Sequence, residues 1–62
     1  MRYKATVVYY DYNDDENGES LARTVYIEAE NSKSAEAKAV AFGRAQYEED
    51  FVGVESLSEV KV

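Results

Sequence analysis

The 62-residue chain contains no cysteine, histidine, proline or tryptophan. Without cysteine there is no disulfide framework and no thiolate metal site. Without histidine the commonest zinc ligand and general base are gone as well. The three glycines, Gly18, Gly43 and Gly53, stand far apart, so no glycine-rich phosphate loop can form. Cations are also scarce: seven Lys and Arg against thirteen Asp and Glu leave a formal charge of −6. Phosphate backbones are bound by excess cation, so direct nucleic-acid binding is not expected. No apolar run nears the roughly 18 residues of a membrane span, and no signal-type apolar region follows Met1-Arg2-Tyr3-Lys4. A cytoplasmic protein without membrane contact, metal or cofactor is the expectation.

What is present suits one small folded domain over residues 1–62. The chain is 45% hydrophobic and 13% aromatic, too apolar for disorder. Tyr3 to Tyr12 is rich in β-branched and aromatic residues, a strand composition, with Tyr3, Ala5, Val7 and Tyr9 on one face. The polar run from Asn13 to Glu19 contains Asn17-Gly18, a pair suited to positive φ in a turn. Leu21 to Ala29 alternates again, with Leu21, Val25, Ile27 and Ala29 on one side and Arg23 interrupting them. The two strands read as a β-hairpin. Asn31-Ser32 then offers an N-cap to an alanine-rich helix running from Lys33 to about Glu49. Its broad stripe holds Ala35, Ala39, Val40, Phe42, Gly43 and Tyr47, and Gly43 is expected to mark close approach of helix to sheet. A third strand follows: Val52, Val54, Val60 and Val62 share parity and Leu57 opposes them, unless a bulge near Gly53 or Ser56 changes the phase.

The order strand, strand, helix, strand predicts a two-layer α+β domain of ββαβ type. Strand one lies at the centre of an antiparallel sheet in the order 3-1-2, with the helix across one face. That helix would bury Tyr3, Ala5, Val7, Val25 and Ile27 against Val40 and Phe42.

Two surfaces follow from this topology. A single helix leaves one sheet face open, carrying Val8, Tyr10, Tyr12 and Tyr26 together with Leu57, an aromatic patch suited to a partner or to a second copy. The hairpin loop and the helix C-terminus share one end of the molecule. Asp11, Asp14, Asp15, Glu16 and Glu19 would therefore gather with Glu48, Glu49 and Asp50, while Arg2, Lys4, Lys33 and Lys61 fall at the opposite end. Acids at a helix C-terminus oppose the macrodipole, so local stability does not account for them. Asn13-x-Asp15-x-Asn17-Gly18 matches the opening of an EF-hand loop, but the twelfth position is Thr24 rather than glutamate and the flanks are strands, so no calcium site is expected. The serines have no basic partner nearby in sequence, and an exposed acidic loop offers no cleft to raise one carboxyl of a pair. Enzymatic activity is not expected.

The stretch Val25-Tyr26-Ile27-Glu28-Ala29-Glu30, leading into Ser34-Ala35-Glu36-Ala37-Lys38-Ala39 and then Tyr47, resembles the strand–helix–strand segment of podovirus inhibitors of bacterial RNA polymerase. Tiny acidic anti-CRISPR and anti-restriction proteins have a similar build. The resemblance implies a phage-encoded inhibitor that binds a host protein stoichiometrically. The expected partner is a host protein with a basic, nucleic-acid-handling groove. It would be met by the acidic end through partial mimicry of nucleic-acid charge and anchored by Tyr10, Tyr12 and Tyr26. The alternative expectation is a homodimeric module whose tyrosine faces pack together, with the acidic loop serving only solubility.

Overall fold

The computed structural model describes residues 1–11 and 19–61. Strand β1 (Arg2–Asp11) is followed by β2 (Glu19–Glu28), helix α1 (Ser32–Tyr47), a single 3-10 turn (Glu48–Asp50) and strand β3 (Phe51–Val60). The three strands form one antiparallel sheet in the order β2-β1-β3, so the fold is the α+β arrangement that the element order implies.

Alternation on β1 determines which face is buried. Tyr3, Ala5 and Val7 are buried beneath α1, and the even positions face away from it. The helix begins as its capping residues imply, with Asn31 Oδ1 accepting from the Ser34 backbone N–H at 2.8 Å. Its buried line is narrower than the sequence stripe. Ala35, Ala39 and Gly43 are buried, whereas Val40 and Phe42 are half-buried. Small side chains at four-residue spacing let the helix axis approach the sheet closely, and this displaces the larger neighbours to its flanks. Val40 consequently borders a shallow groove on the outer side of α1, with Ala37, Ala41, Lys33 and Arg44.

Gly43 is a point of close approach between helix and sheet. A Cβ there would run into the Phe51 ring, so the absence of a side chain is what admits that ring beneath the helix. The helix packs mainly on β3 and β1 and least on β2.

Pairing of β1 with β2 is continuous, from Arg2↔Glu28 to Asp11↔Glu19. Pairing with β3 shifts twice, between Thr6 and Val7 and between Val8 and Tyr9, so that Glu55 and Val52 are extra residues in the ladder. These bulges correct one expectation. Leu57 pairs with Ala5 and packs against Tyr3, Ala29 and Ala35 on the helix side, so it does not belong to the open face. Val54 and Phe51 reach the same side because each bulge advances the phase by one residue.

Candidate protein-binding surfaces

The open face can be read row by row from the register. Next to the terminal row Glu28–Arg2–Val60 lies Tyr26–Lys4–Ser58, then Thr24–Thr6–Ser56, Ala22–Val8–Gly53, and Ser20 beside Tyr10. Tyr10 and Tyr26 are therefore six positions apart along β1, roughly 20 Å at ~3.3 Å per residue. Between them lie short and hydroxyl-bearing side chains, with Val8 half-buried. The tyrosines form two separate exposed points, Tyr26 at 63% and Tyr10 at 42% exposure, rather than one aromatic cluster. Tyr12 lies outside the described residues. Alternation identifies a face but carries no information about position along the strand, which depends on the pairing partner.

At the hairpin end, Asp11 closes β1, Glu19 opens β2, and the Glu48–Asp50 turn packs against β1 and α1. Glu48 and Glu49 are exposed and Asp50 is half-buried. Glu48 caps the helix with φ 54° and ψ −122°, a backbone conformation that suits glycine, and its N–H donates to the Arg44 carbonyl. Asp14, Asp15 and Glu16 lie outside the described residues, as does the EF-hand-like run from Asn13 to Gly18. Among the described residues no three carboxylates converge closely enough to hold a metal ion.

Met1, Arg2, Lys4 and Lys38 lie toward the opposite end, around Glu28. Arg2 Nε donates to Glu28 Oε1 at 3.1 Å, and the Met1 ammonium lies 3.8 Å from Glu28 Oε2. Met1 also exchanges two backbone hydrogen bonds with Ala29, at 2.9 and 3.0 Å, extending the hairpin ladder by one rung. Lys38 Nζ donates to the Glu28 carbonyl at 2.6 Å. The two ends of β1 are about 30 Å apart.

One cluster is not visible in strand and helix patterns taken singly. Arg23 stands opposite Val7 on the helix side of β2, where the sequence shows only an interrupted apolar face. Its guanidinium lies 5.6 Å from the centre of the Phe42 ring, and Nη1 donates to Tyr47 Oη at 3.4 Å. Tyr47 stacks on Tyr9 with centroids 3.9 Å apart and planes 2° from parallel, and Phe42 meets it edge-on at 6.5 Å. Partial desolvation, then the neighbouring Tyr47, pushes the Tyr9 phenol above its ordinary value. The Tyr47 hydroxyl, accepting from Arg23, raises that guanidinium further. The only sequence signal for this cluster is the pairing of an in-phase Arg23 with aromatic residues on the helix stripe.

No family model, curated protein or solved structure matches this chain. Among the described residues no helix is long and apolar enough to cross a membrane.

Proposed function

We propose that the chain is a non-enzymatic binding protein, of the kind small phages use against their hosts. Its acidic end would occupy a basic, nucleic-acid-handling groove on a bacterial host protein. The observation that supports this reading most is the Glu48–Asp50 turn. Three consecutive acids follow the helix C-terminus, where the macrodipole favours cations, and the first of them holds a positive φ. Both features oppose local stability. By backbone position Glu48, Glu49 and Asp50 lie at the end of β1 that Asp11 closes and where Glu19 opens β2. Charge of this density steers association with a basic partner and makes it sensitive to salt. Exposed charge contributes little net affinity by itself, so an apolar anchor is required, and Tyr10, at the acidic end of the open face, is placed to supply it.

The test is capture from bacterial lysate at low and high salt, with bound proteins identified by mass spectrometry. The expected result is one nucleic-acid-binding protein, retained at low salt and lost at high salt. Reversing Asp14, Asp15 and Glu16, or Glu48, Glu49 and Asp50, to lysine should abolish capture. Glu48→Gly should raise stability by about 1 kcal/mol while weakening capture, because it removes strain and charge together. Full retention of the partner by both lysine variants would sink the charge-mimicry reading.

A further inference from the structure

The two outer strands of the sheet differ in how they treat their free edges. On β3 the ladder is broken by bulges at Glu55 and Val52, a common device for spoiling an edge as a template. On β2 the register runs through ten consecutive pairs without interruption. Met1 and Ala29 exchange both of their backbone bonds, so every second residue of β2 back from Ala29 directs its N–H and C=O toward β1. The alternate residues, Glu28, Tyr26, Thr24, Ala22 and Ser20, direct theirs outward. The Glu28 carbonyl shows this directly, since it accepts from Lys38 Nζ. Tyr26, Thr24, Ala22 and Ser20 remain as a straight row of strand donors and acceptors, with no further strand of the sheet beside them among the described residues.

We infer that this edge pairs with the same edge of a second copy, antiparallel and centred on Thr24. Two three-stranded sheets then become one six-stranded sheet with both helices on the same side. The side chains select that register. With Thr24 opposite its own copy, Ala22 lies across from Tyr26, Leu21 from Ile27, and Arg23 from Val25. The exposed Tyr26 ring gains a flat neighbour on the open face, and the half-buried Leu21, Val25 and Ile27 gain apolar contact where α1 covers them least. Moving the centre by one residue to Arg23 would set two guanidinium groups directly opposite each other, which is unfavourable.

This inference is independent of the acidic-end reading, and variants of Glu48, Glu49 and Asp50 should leave the dimer intact. The test is sedimentation equilibrium at about 100 μM protein, a concentration that populates even a weak dimer. The wild-type chain should sediment as a dimer. Thr24→Pro should be monomeric with an unchanged far-ultraviolet dichroism spectrum, because it removes an N–H that points out of the monomer. Should that variant misfold, Thr24→Lys serves the same purpose: it sets two ammonium groups at the two-fold axis and should weaken association by on the order of tenfold or more. The chain has no cysteine, so Thr24→Cys reports proximity cleanly. Paired Cα atoms at the axis lie about 5.5 Å apart, within disulfide reach, and mild oxidation should give a covalent dimer. A monomeric wild-type chain, as expected if the edge instead receives a strand from a foreign protein, overturns the inference. So does a dimer that Thr24→Pro and Thr24→Lys both leave undiminished.

Discussion

β2 and β3 flank the same central strand over the same length, ten residues each, yet they meet the helix differently. β3 supplies Phe51, Val54 and Leu57 to the helix side, at a spacing of three that two bulges make possible. β2 keeps strict alternation and supplies Leu21, Arg23, Val25 and Ile27. The helix closes down on β3, where Gly43 admits Phe51, and stands off β2, where Arg23 reaches across to Phe42 and Tyr47. Irregularity therefore accompanies the tighter packing, and regularity accompanies the looser flank with the usable edge. A bulge costs ladder bonds locally but lets a strand aim three apolar residues, spaced three apart, at a narrow helix.

The largest expected effect comes from testing the two flanks against each other. Gly43→Ala should lower stability by about 1–3 kcal/mol in urea titration, because overpacking against Phe51 outweighs the helix propensity gained. Arg23→Ala, on the other flank, should cost less than Gly43→Ala, because a cation–π contact made by an exposed guanidinium is weak. A larger loss at Arg23 than at Gly43 would contradict the assignment of β3 as the anchoring side.

An intermediate effect is expected from deleting Val52 and Glu55 together. Phe51 would stay opposite Tyr9, Gly53 opposite Val8, Val54 opposite Val7 and Ser56 opposite Thr6, so no helix-facing residue changes sides. The chain should still fold, with stability changed by about 1 kcal/mol or less, while β3 acquires an unbroken edge and self-associates further by sedimentation. Loss of the fold would show that the bulges shape the packing rather than only the edge.

The smallest effect concerns the stack on the looser flank. The Tyr9 phenol is raised from 10.0, so its contribution to stability is present below pH 10 and is lost as pH rises through its folded-state value. Phenolate absorbance should show a component ionising above the ordinary phenol value, and Tyr9→Phe should remove that late component. A titration unchanged by Tyr9→Phe would dissociate the late ionisation from the stack.

Much of this was legible in the amino-acid order. The strand faces of β1 and β2, the Asn31 cap and the close approach at Gly43 follow from local rules. Period two, a short polar acceptor before an alanine-rich run, and chain direction each act within a few residues of their cause. The side of the sheet on which Leu57 lies was not legible, because it depends on bulges set by pairing with β1, more than forty residues away in the chain. Nor was the separation of Tyr10 from Tyr26, which only the register shows, or the meeting of Arg23 with Tyr47, which requires strand and helix to be packed together. The sequence alone was enough for the elements and their order, since these rest on backbone preference and on chain direction. Only packing decided which large side chains share a surface and which edge stays straight, because both depend on how β3 fits under a helix of small residues.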